Sequence, residues 1–173
     1  MTDERDPIRM GIVGTGAISQ VVHVPIFAER HDVDLVALSD ADVHKAEALS
    51  RRFSVPLVMD TSELIAVDDL DAVVICTPND VHEQIAIDAL EAGKHVFVER
   101  PLALSAEGAS RVLRAAESSG RVLSVGMPHR FRPNPSGPGS NRRHRYIADS
   151  ASLRTHRSLS AVASWCPRNR CPH

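Results

Sequence analysis

Two glycines separated by one residue, Gly14 and Gly16, follow the first apolar run of the chain. Glycine at these positions allows a tight turn and lets the backbone approach a phosphate without a Cβ in the way. A helical pattern opens at Ala17, so we expect the amides of Gly16, Ala17 and Ile18 at a helix N-terminus, where a pyrophosphate is stabilised. The third glycine of the usual G-x-G-x-x-G pattern is Ser19 here. Serine can also pack a helix closely against a strand, but such a turn also occurs for steric reasons alone.

A carboxylate stands where the second apolar run ends. Asp40 follows Val33–Ser39 and lies 24 residues after Gly16, close to the spacing of about 20 at which an acidic residue binds the adenosine ribose of a dinucleotide. Its charge would repel a 2′-phosphate, so the sequence favours NAD as the cofactor over NADP. The alternative is that Asp40 only caps the next helix.

Polar residues also follow two later apolar runs, at the edge where ligands bind to parallel sheets. Thr77, Pro78 and Asn79 offer a hydroxyl and an amide, although Pro-Asn is also an ordinary turn and helix cap. Glu99 and Arg100 place two charges at the end of a buried run, which favours a polar ligand over a salt-bridged edge.

Short apolar runs alternate with segments of helical period from residue 8 to about 125, which predicts a doubly wound parallel sheet with helices, an α/β Rossmann fold. The predicted strands are Ile8–Val13, Val33–Leu38, Leu57–Met59, Ala72–Cys76, His95–Val98 and Val122–Val125. The predicted helices are Ala17–Arg30, Val43–Phe53, Ser62–Val67, Val81–Ala92 and Ala106–Ser119. For the fourth helix, the spacing places Val81, Ile85, Ala89 and Ala92 on one face, with Asn79 or Asp80 capping its start and Gly93 closing its end.

The composition is that of a globular protein, with 43% hydrophobic and 24% charged residues among 173. We find no apolar run near the roughly 20 residues of a membrane helix, no secretory signal, and no cysteine framework, and we expect a cytoplasmic protein. The nine histidines are scattered without metal-ligand spacing, so no metal is expected. The arginines near the C-terminus lack interleaved aromatic residues, so no nucleic-acid partner is expected.

Charge divides the chain near residue 134. Residues 1–134 hold 21 of the 22 Asp and Glu, whereas residues 135–173 hold seven Arg, seven Ser, four Pro and a single acidic residue. Such a segment cannot easily form a core. We therefore predict a dinucleotide-binding domain over residues 1–126, followed by a poorly ordered, incomplete remnant over residues 127–173.

Residues 8 to about 134 resemble the N-terminal domain of the glucose-fructose oxidoreductase and inositol dehydrogenase (Gfo/Idh/MocA) family. The resemblance is carried in order by GIVGTGAISQVVHVP, VALSDAD, VVICTPNDVHEQIAIDALEAGKHVFVERPLA, RVLRAAESSGRVLSVG and MPHRFRPN. The third of these is the most specific.

The resemblance implies an NAD(P)-dependent oxidoreductase acting on the CH–OH group of a sugar or polyol. It implies a pyrophosphate site at Gly14, Gly16, Ala17 and Ile18, a ribose contact at Asp40, and a nicotinamide site formed by Thr77, Pro78, Asn79, His82, Glu99 and Arg100. Arg100 stands where the family usually has a catalytic lysine, and arginine binds anions but does not shuttle protons.

The resemblance further implies a second α+β domain that supplies the substrate pocket and the oligomer interface. Because the chain ends soon after residue 134, this domain is expected to be essentially absent, an oligomer is expected only where it is present, and the truncated chain is expected to be inactive or impaired. A shifted reading frame after residue 134 is one explanation. Two other hypotheses are a non-catalytic dinucleotide-binding module or cofactor sensor, and an S-adenosylmethionine-binding domain, against which the clusters at Thr77 and Glu99 argue.

Overall fold

The computed structural model describes residues 6–127. Six strands form one parallel sheet: β1 Ile8–Val13, β2 Val33–Ser39, β3 Leu57–Val58, β4 Ala72–Ile75, β5 His95–Glu99 and β6 Leu123–Gly126. Their order is β3-β2-β1-β4-β5-β6. The chain thus proceeds outward from β1 to β3, returns to the centre at β4 and proceeds outward on the other side. With right-handed crossovers this order places helices on both faces of the sheet.

Helices fill the connections between these strands. They are α1 Val24–Ala28, preceded by a π-helical turn over Ser19–His23, then α2 Val43–Phe53, α3 Thr61–Ala66, α4 His82–Glu91 and α5 Ala106–Ser119. The predicted fold class is confirmed, and all predicted strand ends and most helix ends lie within one residue of the observed ones. The predicted boundary at residue 127 stays a prediction, since the remnant over 127–173 lies outside the described residues except for Met127.

The first helix differs from the prediction of a regular helix over Ala17–Arg30. Within it, the Val24 N–H bonds the carbonyl of Ser19, five residues earlier, and the α-helical part ends at Ala28. Ser19, His23 and Phe27, spaced four residues apart, lie on the buried face of this segment. This arrangement brings two polar side chains toward the carboxyl edge of the sheet.

The buried face of α4 was predicted wrongly in part. Ala89 is buried as expected, but Val81 and Ala92 are exposed, and the buried positions are His82, Ala86, Ala89 and Leu90. The helix begins after Val81 without a side-chain cap, so neither Asn79 nor Asp80 caps it. His82 was not part of the predicted buried face, whereas its ring is buried and hydrogen-bonded.

The core lies on both faces of the central strands. Val13, Val73, Ile75, Val96 and Val98 are almost fully buried and pack in one cluster with side chains of α3, α4 and α5. Strands buried on both faces explain the near-continuous apolar runs of the sequence. Within the described range, no helix has the length and apolarity to cross a membrane.

Candidate functional site

The loop after β1 depends on Gly14. Its φ is +93°, and a Cβ there would lie 2.6 Å from the carbonyl carbon and oxygen of Cys76. The Gly14 N–H also donates to the carbonyl of Ser39, at 2.7 Å. The loop is therefore held against the ends of both neighbouring strands, β2 and β4, and only glycine fits.

Gly16 has a different role. No atom lies within 4 Å of the position its Cβ would take, and its φ is not in the left-handed region. The protein therefore leaves open space above this residue, at the point where the helical segment begins. The first N–H groups of a helix have no partner within it, so this space fits a phosphate on the amides of Gly16, Ala17 and Ile18.

Ser19 occupies the third position of the glycine pattern. It is fully buried, and its hydroxyl donates to the carbonyl of Gly14 at 2.5 Å. The prediction that serine packs here in place of glycine is confirmed. The hydroxyl also ties the first helix to the loop that it follows.

Asp40 binds the same loop from the end of β2. The N–H and the hydroxyl of Thr15 donate to its Oδ2, at 2.6 and 2.8 Å, and the Asp42 N–H donates to its Oδ1 at 2.9 Å. Burial opposes its ionisation, but the hydrogen bonds from Asp42 and Thr15 outweigh burial and lower the pKa of Asp40. The following helix is preceded by Asp42 as N-cap residue, so Asp40 does not cap it.

The cluster after β4 contains an unsatisfied hydroxyl. The Oγ1 atom of Thr77 is buried, and the described residues offer it no hydrogen-bond partner. Such an atom usually has a partner in the functional state. Thr77, Asn79 and His82 line a cavity of about 410 Å³.

His82 joins this cluster to the next one. Its Nδ1 lies 2.7 Å from the carbonyl oxygen of Pro101 and its Nε2 lies 2.8 Å from that of Thr77. The side chain is 1% exposed. Because both ring nitrogens face carbonyl oxygens, the ring fixes the distance between the ends of β4 and β5.

Glu99 and Arg100 also line the cavity. Glu99 Oε1 accepts a hydrogen bond from His23 Nε2 at 2.8 Å. This bond, more than any other cause, lowers the pKa of Glu99 and keeps it ionised at neutral pH. Arg100 is exposed.

The structure thus brings Ile18, Thr77, Asn79, His82, Glu99 and Arg100 to one cavity, which Cys76 and Pro101 also line. Gly14, Gly16, Ala17, Asp40 and Pro78 do not line it, although all lie at the same edge of the sheet. Burial raises the pKa of the Cys76 thiol to about 12, so this thiol is inert. The described residues contain no cluster of three or more His, Cys, Asp or Glu that could hold a metal ion.

Sequence reasoning missed two residues of this arrangement, Thr15 and His23. Both are fully buried. Thr15 donates a hydrogen bond to Asp40, and His23 donates one to Glu99. The available signal for His23 was its position in a stripe with Ser19 and Phe27, four residues on either side.

The model of an oxidoreductase family with an NAD-binding Rossmann fold, Gfo/Idh/MocA, matches residues 8–127. The chain belongs to this family. The resemblance stated from the sequence motifs is therefore confirmed. The matched range contains the glycine turn, the acidic end of β2 and the two clusters after β4 and at the end of β5.

Curated relatives and solved structures agree with this assignment. D-glucoside 3-dehydrogenase of Escherichia coli K12 is 36% identical over 127 residues, which cover 72% of this chain and 36% of that protein. Inositol 2-dehydrogenase of Paracoccus denitrificans is 35% identical over 129 residues, covering 73% and 38%. The chain spans less than two fifths of the length of these two relatives.

Among solved structures, myo-inositol 2-dehydrogenase of Lactobacillus plantarum superimposes with a TM-score of 0.69 at 25% identity, covering 73% of this chain and 38% of that one. KijD10, a 3-ketoreductase from Actinomadura kijaniata in complex with NADP and TDP-benzene, gives a TM-score of 0.67 at 29% identity, covering 70% and 37%. Each of these two structures is matched over less than two fifths of its own length.

Proposed function

We propose that this chain binds NAD at the carboxyl edge of its sheet, as the cofactor domain of an oxidoreductase acting on the CH–OH group of a sugar or polyol. The observation that carries the proposal is the order of the polar groups along this edge. Asp40 follows β2, the glycine loop follows β1, the Thr77 cluster follows β4, and the Glu99 cluster ends β5. These four strands, β2, β1, β4 and β5, are neighbours in that order in the sheet.

A dinucleotide fits this order. The adenosine ribose would lie at Asp40, and the pyrophosphate at the open space over Gly16 and at the amides of Ala17 and Ile18. The other half must then extend over β4 and β5, toward Thr77 Oγ1 and the cavity. When bound, the nicotinamide supplies hydride transfer at its C4 atom; the protein residues hold and orient it.

The preference for NAD over NADP rests on Asp40. Its carboxylate is fixed by three hydrogen bonds from protein groups and stays ionised at neutral pH. A 2′-phosphate at the adenosine ribose would bring a second negative charge close to it. We therefore infer that NADP binds more weakly than NAD.

Arg100 favours a second function, that of a non-catalytic dinucleotide-binding module. A guanidinium can bind an anionic or hydroxylated group, but it does not serve as the base that accepts the proton released when an alcohol is oxidised. On this proposal the wild-type chain binds the dinucleotide but oxidises alcohols slowly or not at all. Exchange of Arg100→Lys tests it directly.

The binding proposal is tested by titrating the full chain with NADH and following its fluorescence, then displacing NADH with NAD⁺ or NADP⁺. We expect saturation below millimolar concentration and stronger displacement by NAD⁺. Absence of a saturable signal at millimolar NADH refutes binding, and stronger displacement by NADP⁺ refutes the preference. Turnover is then measured with a panel of sugars and polyols for the wild-type chain and for Arg100→Lys. Turnover by wild type would exclude the purely non-catalytic function.

A further inference from the structure

A buried histidine lies directly behind the ionised wall of the cavity. The His23 side chain is 0% exposed, and its Nε2 lies 2.8 Å from Glu99 Oε1, 76 residues away in the sequence. Glu99 itself is partly exposed and lines the cavity, whereas His23 does not. His23 therefore contacts the cavity wall through the carboxylate of Glu99.

Packing fixes the imidazole ring of His23. It stacks on Phe27, with 6.2 Å between ring centroids and 16° between planes, and it meets the edge of Phe97 at 5.6 Å. The π turn over Ser19–His23 directs this side chain toward β5. Because the ring cannot turn, its hydrogen bond holds the carboxylate of Glu99 in one position.

The other side of Glu99 is enclosed as well. Gly126 pairs with Glu99 across β5 and β6, and a Cβ at Gly126 would lie 2.9 Å from Glu99 Oε2. The backbone N–H of Arg100 lies 3.4 Å from the same oxygen. The carboxylate thus has an imidazole on one side and the backbone of β6 on the other. The ionisable groups nearest to it are His23, Arg100 and the un-ionised Cys76.

We propose that His23 is a positioning residue that holds Glu99 as a fixed negative charge on the wall of the nicotinamide-side cavity, so that the site favours the oxidised, positively charged nicotinamide over the neutral reduced one. This inference rests on the proposed binding of NAD. A carboxylate interacts favourably with a cationic ring and has no such interaction with a neutral ring. The His23–Glu99 pair therefore sets the ratio of the two affinities, beyond holding the cofactor.

The experiment measures the dissociation constants of NAD⁺ and NADH separately, by calorimetry on the full chain at pH 7.5. Glu99→Gln removes the charge but keeps an oxygen that can accept from His23. His23→Leu removes the donor at similar volume, and His23→Gln restores a donor. Matched surface controls are Glu47→Gln and His44→Leu on α2, where the two side chains are 44% and 88% exposed.

For Glu99→Gln we expect NAD⁺ to bind about fivefold more weakly, the factor given by two unit charges about 4 Å apart in water, and NADH to change less than twofold. His23→Leu shifts the ratio in the same direction, and His23→Gln returns it to within about twofold of wild type. Neither surface control changes the ratio. Thermal unfolding of each variant shows whether it is folded.

Three results overturn the inference. One is an unchanged affinity ratio in Glu99→Gln. Another is an equal weakening of both cofactor forms in His23→Leu, which a purely structural role produces. The third is a failure of His23→Gln to restore the ratio although it folds. If the wild-type chain binds neither form, the proposed function itself fails, and this outcome is distinct from the other three.

Discussion

The two glycines of the first loop should respond in opposite ways to the same substitution. Gly14→Ala places a Cβ 2.6 Å from backbone atoms of Cys76, at a φ of +93°. The strand end it meets cannot easily move, because the Cys76 N–H donates to the carbonyl of Val13 at 2.7 Å. A left-handed conformation costs about 1–2 kcal/mol and overpacking costs about 1–3 kcal/mol more, so we expect a loss of about 2–5 kcal/mol in the free energy of unfolding.

Gly16→Ala should leave stability within about 0.5 kcal/mol of wild type, because its Cβ meets nothing within 4 Å. It fills the open space that we assign to the pyrophosphate. Losing one hydrogen bond to a charged phosphate costs about 1.5–3 kcal/mol, which predicts a roughly 10- to 100-fold weaker binding of NADH.

Urea unfolding followed by circular dichroism gives the stabilities, and NADH fluorescence gives the affinities. Gly120→Ala is the control for backbone strain alone, since Gly120 has a φ of +65° and no neighbour within 4 Å of a Cβ. It should lose about 1 kcal/mol of stability and none of its affinity. The reasoning is refuted if Gly14→Ala is as stable as Gly120→Ala, or if a folded Gly16→Ala binds NADH as wild type does.

Four further outcomes are expected. Asp40→Asn should lower the ratio of the NADP⁺ to the NAD⁺ dissociation constant by about fivefold or more, measured by displacement of NADH, because a like charge is removed from the ribose site; an unchanged ratio would contradict the assignment. The pKa values of Asp40 and Glu99 are lowered in the folded protein. The stability that these groups contribute is therefore present above their ordinary pKa values, near 4, and is lost as the pH falls through their lowered pKa values. Plots of unfolding free energy against pH for Asp40→Asn and Glu99→Gln should be flatter than that of wild type below about pH 4.5. Lys94→Met should lose about 1–3 kcal/mol of stability in urea unfolding, because the buried ammonium donates to two backbone carbonyls, at 2.6 and 3.3 Å, that would lose this donor. Cys76 should resist a thiol reagent at pH 8 in the native chain and react after unfolding, as read by peptide mass mapping, and rapid native labelling would show that its thiol is neither buried nor protonated.

Much of the fold could be predicted from the sequence because its strands are buried on both faces. Runs such as Ala72–Ile75 are apolar throughout, so their positions and ends are visible without structural information. The polar residues at the ends of these runs, Asp40, Thr77 and Glu99, therefore stand out in the sequence, and the structure places all three at the carboxyl edge of the sheet. The buried face of α4 could not be predicted in this way, because apolar and polar residues alternate irregularly along this helix. The burial of His82 depends on backbone carbonyls of Thr77 and Pro101, which lie in two different loops.

The partners of the two carboxylates could not be predicted, because they arise from tertiary contacts. His23 and Glu99 are 76 residues apart, and Thr15 and Asp40 are 25 apart. Sequence spacing indicated that an acid belongs at the end of β2, and nothing in the sequence specified what would donate to it. The π turn over Ser19–His23 was likewise not predicted, because the apolar and polar pattern of this segment indicated a regular helix.

Asp40 illustrates why this distinction matters for testing the site. Its carboxylate accepts three hydrogen bonds from the protein, two of them from Thr15 within the glycine loop. It therefore shapes the loop that we assign to the pyrophosphate, in addition to carrying the charge at the proposed ribose site. Any exchange of Asp40 should weaken both NAD⁺ and NADP⁺ through the loop, and only the ratio of the two affinities reports the charge. If Asp40→Asn and Thr15→Val weaken both cofactors equally and leave the ratio unchanged, the acid at the end of β2 acts by ordering the loop, and cofactor choice must lie elsewhere.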